Sequence, residues 1–112
     1  MIEIPLFTDP QYTVRADLGT EGAEVQYEFE FRYLQRADLY LMSMYTADGE
    51  ALFEGRPVLL GVRYLLGNTS TRRPPGDLIF VDSTTTNVDA GRNDLGSRVS
   101  LIYLTPEDIA AA

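Results

Sequence analysis

Residues 25–34 read VQYEFEFRYL, and this stretch decides the fold. Large apolar residues alternate with polar or charged ones: Val25, Tyr27, Phe29, Phe31 and Tyr33 against Gln26, Glu28, Glu30 and Arg32. A period of two places the two sets on opposite faces of a β-strand. The stretch therefore predicts a strand in an antiparallel sheet that has one packed face and one face in water.

Further strands are predicted on either side of this stretch. Residues 12–18 alternate in the same way, with Tyr12, Val14, Ala16 and Leu18 facing inward. Residues 39–46 are apolar on both faces, which is typical of a central strand covered on both sides. Asp48-Gly49 then predicts a tight hairpin turn, because that turn needs a positive φ. Residues 51–54 form the returning strand, which Gly55-Arg56-Pro57 should end.

The second half of the chain holds shorter predicted elements. Residues 58–66 form either a strand with a bend at Gly61 or a short helix, and their composition favours the strand. Residues 77–82 and 98–104 predict two more strands, the second with Val99, Leu101 and Tyr103 facing inward. Thr105 precedes Pro106 and two acids, which is typical of the first turn of a helix.

The sequence between the strands predicts two short turns and two long loops. Residues 19–22 and 35–38 are short polar turns, whereas residues 67–76 and 83–96 are loops by composition. In the second loop we expect Gly91 and Gly96 to adopt positive φ. The whole pattern predicts an all-β fold, a small antiparallel β-barrel or sandwich of about five to seven strands with long loops. We expect residues 1–112 to form one domain, with an extended arm at 1–11, a β core at 12–104 and a short tail at 105–112.

Composition excludes several classes of function. The chain has 112 residues, a net charge of −8, and no histidine, cysteine or tryptophan. The chain therefore lacks the residues needed for Ser–His–Asp catalysis, for zinc sites with histidine or thiolate ligands, and for disulfides. The acidic balance repels phosphate backbones, so we expect no direct binding of nucleic acid. No apolar run approaches the length of a membrane span, so we expect no contact with a membrane.

Carboxylates are the remaining candidates for chemistry, and the sequence favours structural roles for them. Asp77 and Asp82 flank one strand and project to opposite faces, while Glu28 and Glu30 share a face that should be solvated. Residues 89–94 (DAGRND) supply oxygen ligands around a glycine, but their spacing does not match a calcium loop. We therefore expect no enzyme and no catalytic, cofactor or metal-binding residues.

For four tyrosines the sequence allows two environments, the core or a protein interface. Tyrosine is enriched at protein interfaces because its ring is apolar and its tip is polar. The core is the simpler assignment for most of them, and the residues concerned are Tyr33, Tyr40, Tyr45 and Tyr64.

Four segments together resemble one known family. They are residues 4–50 (IPLFTDPQYTV through MYTADGE), LLGVRYLL, PPGDLIFVD and the closing AGRNDLGSRVSLIYL, so the likeness spans roughly residues 4–104. This order resembles the small baseplate plug proteins of contractile-tailed bacteriophages, known from a cyanophage baseplate. Residues 35–38 (QRAD) depart from the Asp-Gly turn that family members often carry there.

The resemblance implies a non-enzymatic structural protein of the virion, made in the host cytoplasm and assembled into the tail baseplate. It further implies contacts with hub, spike or tape-measure proteins, in multiple copies. Loops carry binding more often than sheets do, and the arm is apolar without an obvious partner strand. We therefore expect partner contacts at Ile4, Leu6, Phe7, Arg72, Arg73, Arg92 and Asp94. The alternatives are a β-barrel that binds a small ligand and a hydrolase that uses carboxylates.

Overall fold

The computed structural model describes residues 2–18, 25–65, 74, 76–84, 89, 91 and 94–111. This part of the chain forms seven strands and one short helix. They are β1 (Ile2–Ile4), β2 (Gln11–Asp17), β3 (Gln26–Leu34), β4 (Leu39–Thr46), β5 (Ala51–Pro57), β6 (Asp77–Asp82), β7 (Val99–Leu104) and α1 (Pro106–Ala111). The helix has six residues and is too short to cross a lipid bilayer.

Strands β2 to β5 form a four-stranded antiparallel sheet in chain order. In β3 the predicted alternation is confirmed, because Tyr27, Phe29 and Phe31 are buried and the intervening residues face outward. Val25 differs from the prediction, since it precedes the strand and is 44% exposed. The predicted inward set of β2 also faces the core, and the bounds of β4 are those that the sequence predicts.

Strands β1, β7 and β6 form a second, three-stranded antiparallel sheet. Strand β1 lies at its edge, with Ile4 opposite Leu101. The start of the apolar N-terminal segment therefore lies along a sheet edge within its own chain. Strand β6 has its predicted bounds, while β7 begins one residue later than expected, at Val99.

The inner faces of the two sheets enclose the core, and the fold is a sandwich. Phe31 of the larger sheet meets Phe80 of the smaller one edge to face, with ring centroids 6.5 Å apart. Tyr64 packs against the same Phe80 at 5.6 Å. The strand pairings of the described residues do not close the two sheets into a barrel. The all-β prediction is thus confirmed, in its sandwich form.

Strand β5 runs further than the sequence predicts. The chain continues in the strand through Gly55, Arg56 and Pro57, which were expected to end it. A bulge makes this possible: Met42 pairs with Arg56 and Met44 with Phe53, so two residues of β5 oppose the single Ser43. Gly55 takes φ +61° in the bulge, and proline is tolerated because β5 is an edge strand.

The segment after β5 is neither a strand nor a helix in its described part, residues 58–65, so the prediction of a strand is wrong there. One side chain organises it instead. The Tyr64 hydroxyl donates to the Pro57 carbonyl at 2.6 Å and accepts from the Leu59 amide at 2.8 Å. Gly61 bends the chain with φ +73°, and Val58, Tyr64 and Leu65 are buried. The apolar character of these residues, which favours a strand in the sequence, instead allows a loop to place them in the core.

Two local predictions are confirmed. Gly49 adopts φ +94° in the β4–β5 hairpin, and its amide donates to the Thr46 carbonyl at 3.0 Å. At helix α1 the Asp108 amide donates to the Thr105 hydroxyl, while the Thr105 amide donates to the Asp108 carboxylate. This reciprocal pair is a capping box built with aspartate.

Candidate partner-contact surfaces

Residues 5–10, named here the N-terminal strap, cross from β1 in one sheet to β2 in the other. Tyrosines hold the strap at several points. The Phe7 amide donates to the Tyr12 hydroxyl at 3.1 Å, and the Tyr40 hydroxyl donates to the Asp9 carbonyl at 3.1 Å. The Tyr33 amide donates to the Pro10 carbonyl at 2.7 Å. Burial is the main cause that raises the pKa of Tyr12 to about 12.

The three residues of the arm that were predicted to contact a partner have different environments. Ile4 is 1% exposed and lies in the core, and Leu6 is half-buried against it. Phe7 is 51% exposed, and its ring meets Tyr12 edge to face at 5.5 Å. Of these three residues, Phe7 is therefore the one that presents a large apolar surface to solvent.

A turn near the end of the long second loop supports the strap. Gly96 has φ +81°, as predicted, and a Cβ at this position would lie 2.4 Å from the Leu6 carbonyl oxygen. Only glycine allows both this backbone conformation and this approach. Gly91, by contrast, does not have the positive φ that was expected.

Asp94 belongs to an ion-pair cluster beside this turn. Arg98 reaches Asp82 at 2.6 Å and Asp94 at 2.9 Å, and the Gly91 amide donates to the Asp94 carboxylate at 2.7 Å. The hydrogen bond from Arg98 is the main cause that lowers the pKa of Asp94, followed by the bond from Gly91. These bonds hold the turn together. Because the Asp94 side chain is 33% exposed, part of it also faces solvent.

The three arginines that were predicted to contact a partner, Arg72, Arg73 and Arg92, lie outside the described residues. Their role stays a prediction.

Two of the carboxylates considered for acid–base chemistry, Asp77 and Asp82, are engaged in structural bonds. Asp77 is 1% exposed and accepts from the Leu65 and Leu78 amides at 2.7 and 2.8 Å. It also pairs with Arg63 at 2.9 Å, while Asp82 pairs with Arg98. Within the described residues, no cluster of three or more acidic side chains is placed to hold a metal ion.

The outer face of the four-stranded sheet carries a groove that the sequence did not single out. We call it the outer groove; its volume is about 370 Å³, and Glu30, Arg32, Leu41, Ser43, Tyr45, Glu54 and Gly55 line it. The signal in the sequence was the apolar character of both faces of β4. The inner face is covered as predicted, but no described strand or helix packs over the outer one.

The four undecided tyrosines divide evenly. Tyr40 and Tyr64 are buried, at 0% and 2% exposure. Tyr33 and Tyr45 are half-buried, and Tyr45 lines the outer groove. Burial thus assigns two of them to the core and leaves two with surface to offer.

Comparison with known proteins places these surfaces in context. A family model described as "Cyanophage baseplate Pam3 plug gp18" matches residues 1–107 of the 112. A search of curated proteins finds no match. The family match spans both sheets and the strap, and it covers all but the last five residues. The chain therefore belongs to the cyanophage baseplate plug family and is a structural component of the virion's tail baseplate.

Proposed function

We propose that this chain is a plug-type subunit that contacts hub, spike or tape-measure proteins at the tail tip and carries out no chemistry. The family match over residues 1–107 is the observation that carries this proposal. The bonding of the carboxylates agrees with it, since Asp77 and Asp82 are both engaged in ion pairs within the fold. No specific observation favours the small-ligand barrel or the hydrolase.

Phe7 is the described residue that best suits a contact through the strap. An exposed aromatic ring on a segment tied down by hydrogen bonds loses little conformational freedom when a partner covers it. Aromatic residues are also enriched in the cores of protein interfaces. Asp94 and the loop arginines Arg72, Arg73 and Arg92 are further contact candidates, because loops often carry binding.

Co-expression with the hub, spike and tape-measure proteins of the same phage tests the proposal. We expect a complex of defined stoichiometry, measured by light scattering after co-purification. Phe7→Ala should weaken this complex by roughly tenfold, in the range of an aromatic residue at the centre of an interface. Val25→Ala is the control, since Val25 is similarly exposed at 44% but lies away from the strap. A folded monomer that associates with none of these proteins would overturn the proposal.

A further inference from the structure

The floor of the outer groove is formed by β4, which departs from the pattern of its neighbour. From Gln26 to Arg32 the outward residues of β3 are polar or charged, whereas those of β4 include Leu41 and Tyr45. Both are half-buried on a face that no described strand or helix covers. An antiparallel sheet with one wet face is expected to be polar on that face, so these two side chains suit a covered surface.

Acidic side chains flank this floor on both sides. Glu30 lies opposite Ser43 on β3, and the β5 bulge places Glu54 and Gly55 on the other side of Ser43. A group above Ser43 lies one strand spacing, roughly 5 Å, from each neighbouring strand. Glu28, opposite Tyr45, is already paired with Arg15 at 3.3 Å. Within the described structure, the side chains of Glu30 and Glu54 have neither an ion pair nor a hydrogen bond.

Ser43 supplies a second, independent feature in the middle of the groove. It is only 9% exposed, and its hydroxyl oxygen accepts from the Gly55 amide at 2.9 Å. The hydroxyl proton has no acceptor among the described residues, and it remains available to a group in the groove. Arg32 closes the far end of the groove, beside Leu41. The cationic end and the acidic middle thus give the groove a direction.

We infer that the outer groove binds an arginine or lysine side chain presented by another baseplate protein. The apolar stem of that side chain packs on Leu41 and Tyr45, and its cationic head lies above Ser43 between Glu30 and Glu54. Arg32 disfavours the opposite orientation through like-charge repulsion. The inference rests on the proposed baseplate role for the identity of the partner, but the groove itself can be tested without one.

The first test uses a small probe on the isolated chain. N-acetyl-arginine methylamide is added at millimolar concentration to the isotope-labelled protein, and amide shifts are followed by NMR. We expect shifts confined to Glu30, Ser43, Tyr45 and Gly55. The neutral citrulline analogue is the matched control and should produce none of them. No shift with the arginine probe, or equal shifts with both probes, would overturn the inference.

The second test uses the co-purified baseplate complex. Glu30→Gln with Glu54→Gln should weaken binding by roughly 5- to 20-fold, since each neutralisation removes one partly exposed charge contact. Glu3→Gln is the control, because Glu3 faces outward on the other sheet and its variant should bind like wild type. If wild type binds and the double variant binds equally well, the inference fails while the plug function stands. If wild type binds no baseplate protein, the plug function fails and the NMR titration alone decides on the groove.

Discussion

At the scale of single residues, Asp77 holds the start of β6 to the loop before it. It is buried, and its carboxylate accepts from two backbone amides and pairs with Arg63. Asp77→Ala removes the buried carboxylate that accepts from both amides and pairs with Arg63, so we expect the free energy of unfolding to fall by about 2–4 kcal/mol in urea denaturation. Asp9→Ala, at an exposed position of the strap, is the control. An equal loss in the two variants would contradict this role of Asp77.

The same residue shows why pairs of carboxylates in a sequence are weak evidence for chemistry. Asp77 and Asp82 were candidates because they flank an apolar strand, and they turned out to serve two separate tasks. One accepts amides from the 58–65 loop and from β6, whereas the other pairs with Arg98 from the turn before β7. The partners, Leu65 and Arg98, are 12 and 16 residues away along the chain. Such contacts are set by tertiary packing, which no local pattern contains.

At the scale of elements, the strap depends on the hydroxyl of Tyr12. Tyr12→Phe removes the acceptor of the Phe7 amide but keeps the ring that packs on Phe31 at 5.1 Å. We expect hydrogen exchange at the Phe7 amide to accelerate by roughly tenfold, because local opening no longer breaks that bond. Exchange at β4 amides should stay unchanged. Unchanged exchange at Phe7 would mean that the other strap bonds suffice.

The raised pKa of Tyr12 predicts that the stability of the fold depends on alkaline pH. Burial raises the pKa of Tyr12 to about 12 in the folded state, above its value of about 10 in the unfolded chain. The neutral phenol therefore stabilises the fold below about pH 10, and this contribution is lost as the pH rises to about 12. The stability difference between wild type and Tyr12→Phe should be constant below that window. Within it, wild type should lose stability relative to Tyr12→Phe, because only wild type has the phenol that ionises. Denaturation at several alkaline pH values measures this difference.

The elements also show where sequence patterns suffice. The strands β3, β4 and β6 follow from alternation or from short apolar runs bounded by turns, which are local signals. The continuation of β5 past Gly55 depends on a bulge against Ser43, and the 58–65 loop depends on the hydroxyl of Tyr64. These features arise from contacts between elements. The outer groove was indicated only indirectly, by the apolar outer face of β4.

At the scale of the whole molecule, the topology ties the two ends of the chain together. Strand β1 pairs with β7, nearly a hundred residues later, and α1 contacts β7 directly after it. The strap leads the chain from this sheet to the four-stranded one. The surfaces proposed for contact, Phe7 and the outer groove, therefore lie on one packed body. A partner that contacts either surface binds a largely preorganised structure.

The net charge of −8 leads to a prediction for assembly as a whole. If partners present basic side chains, as the outer groove suggests, long-range attraction should speed the encounter at low salt. Raising the salt from about 0.05 to 0.5 M should slow association by roughly tenfold, since the screening length then falls from more than 10 Å to a few Å. Biolayer interferometry against the purified partner measures the rate. The variant Glu30→Gln with Glu54→Gln should show a shallower salt dependence than wild type, with Glu3→Gln as its control. An association rate that does not change with salt would show that packing at the strap, rather than charge, brings the plug to its site.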